Sequence, residues 1–148
     1  MDWAETLFVV AAFLFQVVLI VHYALRKWRF ETAARYGPIV YALGIPACAA
    51  SILILLAGKP WWLWLSGFLY LIWAAFGYLV EYVKGIRWRS PPRWEILGPY
   101  LALYLATIMF YWWPLGRISR PLWYVYTVLF LVSTALNLAS HGRPSGLE

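Results

Sequence analysis

A chain of 148 residues that is 64% hydrophobic and only 12% charged carries about half of the roughly 25% charge that covers a soluble domain. An ordinary water-soluble globule is thereby excluded. The net charge of +6 does not point to nucleic acid, because the Lys and Arg residues sit in short loops beside apolar runs, where anionic lipid headgroups are the expected partner.

A hydrocarbon core of about 30 Å needs about 20 helical residues at about 1.5 Å each, and five runs reach that length. Each is too long and too continuously apolar for an alternating barrel strand, so helices are predicted. The first, Thr6 to Leu25, follows Asp2 and Glu5 instead of a basic segment and reads as a retained span, not a cleaved leader. It offers Gln16, His22 and Tyr23. After Tyr36-Gly37-Pro38, a predicted break, the second runs from Ile39 to Ala57 with Tyr41, Gly44, Cys48 and Ser51 on one side. Pro46 predicts a kink there, and the small residues from Ala47 to Ser51 predict close helix approach.

The third run, Trp61 to Val83, follows Gly58-Lys59-Pro60 and aligns Ser66, Tyr70, Trp73, Gly77 and Glu81. The fourth, Ile96 to Trp113, follows Ser90-Pro91-Pro92 and aligns Tyr100, Tyr104, Thr107 and Tyr111. On its opposite side Gly98, Ala102 and Ala106 form a small-residue seam, suited to a neighbouring helix of the same chain, a second protomer or a partner membrane subunit. The fifth, Pro121 to Ala139, follows Trp113-Pro114-Leu115-Gly116 and aligns Thr127, Thr134, Asn137 and His141. The expected fold is a single all-α transmembrane domain over residues 1–148, with spans near 6–25, 39–57, 61–83, 96–113 and 121–139.

Orientation follows from the basic residues, which are retained on the cytoplasmic side. Arg26, Lys27, Arg29, Arg35, Lys84, Arg87, Arg89, Arg93 and Arg143 fall on one side, against Lys59, Arg117 and Arg120 on the other. Nine against three predicts an outer N-terminus and an inner C-terminus in a bacterial-type cell membrane. Ten of the eleven tryptophans fall at the outer ends of spans or in the inner loops, near the interfacial level indole prefers. Trp73 alone should lie near the middle.

Lipid has no use for polar side chains, so the polar stripes are expected to face one another. They suggest a pocket with aromatic walls and a few hydrogen-bonding groups for a hydrophobic or amphiphilic small molecule, drawn from Gln16, His22, Tyr23, Tyr70, Trp73, Glu81, Tyr104, Thr107, Asn137 and His141. The same groups could equally serve only to hold the helices together, each contributing on the order of 1 kcal/mol. Glu81 stands out, because a carboxylate at the centre of a span costs about 2.5–3.5 kcal/mol, although from its place near the inner end it could reach the interface and pair with Lys84.

No catalytic motif, phosphate-binding loop or haem-attachment motif is present. With one cysteine, Cys48, and one aspartate, Asp2, no metal or cofactor is expected. The leading expectation is a non-enzymatic protein that binds, senses or transports a hydrophobic or amphiphilic molecule. The alternatives are a structural or assembly subunit of a larger membrane complex and, least favoured, an enzyme acting near the cytoplasmic face through Glu81 and His22 or His141.

Five spans in so short a chain, the tryptophan-rich composition, and Lys59-Pro60-Trp61 followed by Phe76-Gly77-Tyr78 resemble the tryptophan-rich sensory (translocator) protein family. In that family the comparable segment precedes the second span and has paired prolines after the tryptophan; here it precedes the third and reads Trp62-Leu63-Trp64. The resemblance implies a common five-helix architecture and assigns no binding residue.

Overall fold

The computed structural model describes residues 1–84 and 94–141, with only the backbone described for Tyr82, Ser140 and His141. Ser90-Pro91-Pro92, Arg87, Trp88, Arg89, Arg93 and Arg143 lie outside the described residues. Every regular element among the described residues is helical: α1 (Trp3–Trp28), α2 (Phe30–Ala42), α3 (Gly44–Leu56), α4 (Trp61–Tyr78), a π-helical turn (Leu79–Val83), α5 (Trp94–Ile118) and α6 (Arg120–His141). With α2 and α3 taken together, five helices are long and apolar enough to cross a membrane.

α1 is started by Asp2, whose carboxylate accepts from the Glu5 backbone N–H at 2.9 Å and so satisfies one donor of the open first turn. Its buried face, Ala4, Phe8, Ala12, Phe15, Gln16, Leu19, Tyr23 and Arg26, repeats at helical spacing and alternates small with large, which lets neighbours interdigitate. α6 and α2 pack on α1; α3 packs on α4, α4 on α5, and α5 on α6. The bundle is thus closed, with α1 also touching α3, α4 and α5.

The second span is broken where Pro46 predicts. Pro46 has no N–H for the Ala42 carbonyl, and the chain turns at Leu43, between α2 and α3. Leu43 keeps helical dihedrals, φ −66° and ψ −11°, so the two segments remain nearly continuous. The carbonyls in the last turn of α2 then lack intrahelical partners, and the Tyr70 hydroxyl donates to one of them, Val40 O, at 2.6 Å.

Two expected breaks do not occur. α2 runs through Gly37 and Pro38, so the helix begins at Phe30, not Ile39, and the basic stretch after α1 is largely helical. α5 likewise runs through Pro114 and Gly116 to Ile118, leaving Ser119 as the connection to α6. In both cases a lone proline removes one hydrogen bond without stopping a helix whose other turns are intact. The Gly58 turn is as expected: Gly58 has φ +77°, a backbone region that glycine enters without strain.

α3 and α4 approach closely at Gly67, whose backbone N–H donates to Ser51 Oγ at 3.0 Å. A Cβ on Gly67 would overlap Ser51 Oγ and the Ala47 carbonyl, so the Ala47 to Ser51 stretch serves as the packing surface its small residues predict. The Gly98 seam differs. A Cβ on Gly98 would meet nothing within 4 Å, and Ala102 is exposed.

The α1 N-terminus and the α3–α4 turn meet through Lys59, which pairs with Asp2 and lies 3.7 Å from Glu5. The lysine beside Asp2 lowers that carboxyl below its ordinary value, and Asp2 in turn raises Lys59. The α5–α6 turn lies at this same end, because the Arg117 guanidinium sits 5.2 Å over the Trp62 ring.

Candidate functional site

The third span's stripe of Ser66, Tyr70, Trp73, Gly77 and Glu81 turns inward at helical spacing. At its middle Trp73 is 1% exposed. Its ring is contacted by Phe15 of α1 (6.1 Å between centroids), Tyr41 of α2 (5.3 Å), Tyr70 of α4 (5.7 Å), and Tyr100 and Tyr104 of α5 (5.7 and 5.6 Å). Four of the six helices therefore meet on one indole. The tilted and edge-on arrangements are those aromatic quadrupoles favour. The Trp73 Nε1 donor has no acceptor among the described residues, an unusual state for a buried indole N–H.

Two turns further along α4 the helix changes pitch. Residues Leu79–Val83 form a π-helical turn, with the Lys84 N–H bonded to the Leu79 carbonyl at 2.9 Å. Such turns are rare and often occur where function requires a side chain to be re-aimed. This one carries Glu81. The Tyr41 hydroxyl donates to Glu81 Oε2 at 3.0 Å and lies 3.1 Å from the Tyr100 hydroxyl. Tyr41 has one proton, so with it committed to the carboxylate the Tyr100 hydroxyl is the donor of the second bond. The result is a directed chain from α5 through α2 to the π turn.

Gly77 makes this chain sterically feasible. One helical turn before Glu81 and on the same face, it would place a Cβ 2.7 Å from the Tyr41 ring, so any larger residue would push the phenol off the carboxylate. The half-buried Glu81, held by a phenol and next to an aromatic cluster, can accept a hydrogen bond from a donor or pair with a cation. The aromatic rings beyond it are buried against one another, with Tyr100 half-buried at the edge of the cluster.

The other sequence-identified residues are distributed differently. Tyr70, Trp73 and Tyr104 join the aromatic cluster, and Glu81 joins it through Tyr41. Gln16 is fully buried between α1 and α6, its amide donating to the Tyr126 hydroxyl at 3.3 Å. Thr107 is buried but donates to Leu103 O of its own helix, which leaves its hydroxyl committed to backbone. His22 packs its ring 5.7 Å from Tyr23 at the far end of α1. Asn137 is half-buried on α6. The side chain of His141 is outside the described residues.

Tyr41 and Tyr100 stood in the polar stripes but not among the binding residues; their partners across the bundle could not be known from spacing alone. Tyr126 was missed. The stripe of α6 was placed on Thr127 and Thr134, whereas the buried positions are Tyr126 and Ser133. Thr127 instead donates to Trp123 O and accepts from Trp112 Nε1 at 2.7 Å, so the threonine signal reported local back-bonding. A phenol three residues from Trp123 could have been read as the inward residue only with the packing partner, Gln16, in view.

No protein-family model, curated protein or solved structure matches the chain. None of these comparisons supports the resemblance to the translocator family, and the functional reading rests on the geometry.

Proposed function

We propose that this is a multi-pass protein of a bacterial-type cell membrane, N-terminus outside and C-terminus inside, that binds an amphiphilic small molecule at the Glu81–Tyr41–Tyr100 end of the bundle. Binding is the step common to sensing and transport. The ligand class is an apolar body with a cationic or hydrogen-bond-donating head: the head for the carboxylate, the body for the half-buried Tyr100 and the exposed Tyr78. Nine basic residues against three support the orientation.

The observation that carries this reading is the Glu81 carboxylate on a π turn, bonded by Tyr41. Three costly features converge there: a carboxylate in an apolar bundle, a rare helical pitch and a glycine required by a phenol. A purely structural bundle would be more stable with an apolar residue at position 81. Purified protein titrated with a panel of lipids, sterols, tetrapyrroles and lipophilic amines, followed by tryptophan fluorescence, tests it. A saturable change for at least one member is expected. A flat response to every member overturns the reading.

A second reading, an assembly subunit, is favoured by the open seam on α5, where Gly98 meets nothing and Ala102 is exposed. It expects stoichiometric membrane partners after mild-detergent extraction, and a chain that purifies alone and still binds its ligand contradicts it.

A further inference from the structure

At the opposite end of the bundle from Glu81, the α5–α6 turn forms a half-open pocket of about 270 Å³ lined by Trp112, Trp113, Gly116, Arg117, Arg120 and Trp123. That is roughly the room of nine waters. Its walls are fixed: Trp112 is tied through Nε1 to Thr127 and stacks 5.1 Å from Trp123. Trp123 in turn lies against Gly116, where a Cβ would come within 3.1 Å of its ring.

The cations are held differently. The Arg117 guanidinium lies 5.2 and 5.3 Å over the rings of Trp62 and Trp113. Stacking occupies the faces of a guanidinium and leaves its in-plane N–H donors for an oxyanion. Arg120 begins α6, where the N-terminal end of the helix dipole adds further positive potential. The two acidic residues at this end, Asp2 and Glu5, are both engaged by Lys59. Among the described residues neither arginine has a carboxylate partner.

We infer that this cavity binds a phosphate group, taken from a phospholipid headgroup or a soluble phosphoester, with Arg117 and Arg120 gripping the oxyanion and the three tryptophans walling the attached glyceryl or organic part. Indole at this level suits a headgroup, since Trp prefers the membrane–water boundary. The site is separate from the Glu81 network and does not depend on it.

The test uses purified full-length protein in detergent, titrated with dihexanoyl phosphatidylglycerol, glycerol 3-phosphate or phosphate-free dihexanoylglycerol, and read by tryptophan fluorescence. Saturable binding of the phosphatidylglycerol is expected, and any response to dihexanoylglycerol, whose hydroxyl head suits the Glu81 site, should be unchanged by substitution of the arginines. Arg117→Gln with Arg120→Gln should weaken it about ten- to a hundredfold, the loss of charge-assisted hydrogen bonds. Arg120→Gln alone, which disturbs no ring stack, should weaken it less. Lys84→Gln, at the far end, and Glu81→Gln should leave it unchanged. Equal binding of glycerol 3-phosphate supports the site and assigns it to a soluble phosphoester. The inference is overturned if Arg120→Gln and the double variant bind the phospholipid like wild type, if they weaken dihexanoylglycerol as much as the phospholipid, or if Lys84→Gln costs as much as they do.

Discussion

The Tyr41 hydroxyl and the Glu81 carboxylate, 40 positions apart in sequence, are joined by a 3.0 Å hydrogen bond between α2 and the π turn after α4. The bond ties the broken second span to the end of the third. Tyr41→Phe removes the donor and leaves the carboxylate with one polar contact fewer in an apolar setting. A loss of about 1–3 kcal/mol in unfolding free energy is expected, measured by denaturant titration in mixed micelles. Tyr41→Phe combined with Glu81→Gln should lose less than the sum of the two single changes, because both remove the same bond.

Glycine substitutions separate tight helix contacts from open ones. Gly67→Ala forces α3 and α4 apart at Ser51 and Ala47, and overpacking of this kind costs about 1–3 kcal/mol. Gly98→Ala meets nothing and should be neutral or stabilising by up to about 1 kcal/mol through helix propensity. Melting temperatures of the two variants, compared with wild type in one detergent, check the order.

The Asp2–Lys59 pair sets a pH window for the end of the bundle that holds the α1 N-terminus. Asp2 is lowered in the folded state, so its contribution is complete above its ordinary value near 3.8 and is lost as the pH falls below it. Lys59 is raised, so its contribution is complete below 10.5 and is lost as the pH climbs above it. Thermal stability should be level between about pH 5 and 9 and fall outside that range. Asp2→Asn should flatten the acid limb and shorten the protection of α1 amides from exchange. Asp2 is exposed and Lys59 half-buried at the surface, so added salt should shrink the effect.

The orientation proposed here predicts which side each turn faces. In a Cys48→Ser background, Lys59→Cys should react with a membrane-impermeant maleimide applied outside intact cells, and Lys84→Cys only after the membrane is opened. The reverse pattern would place the N-terminus inside.

How far the sequence carried these conclusions depended on which physical signal was in play. Apolar run length located all five long helices, because a run of about 20 apolar residues is what a helix long enough to cross a membrane requires. The stripe from Ser66 to Glu81 turned inward as helical spacing predicts, since its polar atoms had no alternative outside the bundle. Pro38 and Pro114 misled because a proline's effect depends on whether neighbouring turns hold the helix together, which is a tertiary matter. The π turn left no trace in residue spacing, and the Tyr41–Glu81–Tyr100 chain needed three helices to be placed before any of its bonds could be seen. On α6 two threonines outweighed one tyrosine in the polar pattern, although each threonine can satisfy its own hydroxyl on the preceding turn.

The most direct test of the central claim is a paired titration with whichever amphiphile gives the strongest fluorescence response, comparing wild type, Trp73→Phe and Glu81→Gln. Trp73→Phe should lose most of the signal while a competition assay shows affinity close to wild type. Glu81→Gln should keep the signal and weaken binding about tenfold or more, the loss of a charge-assisted contact. Equal affinity of Glu81→Gln and wild type, with both proteins folded, would contradict a ligand site at the Glu81–Tyr41–Tyr100 network.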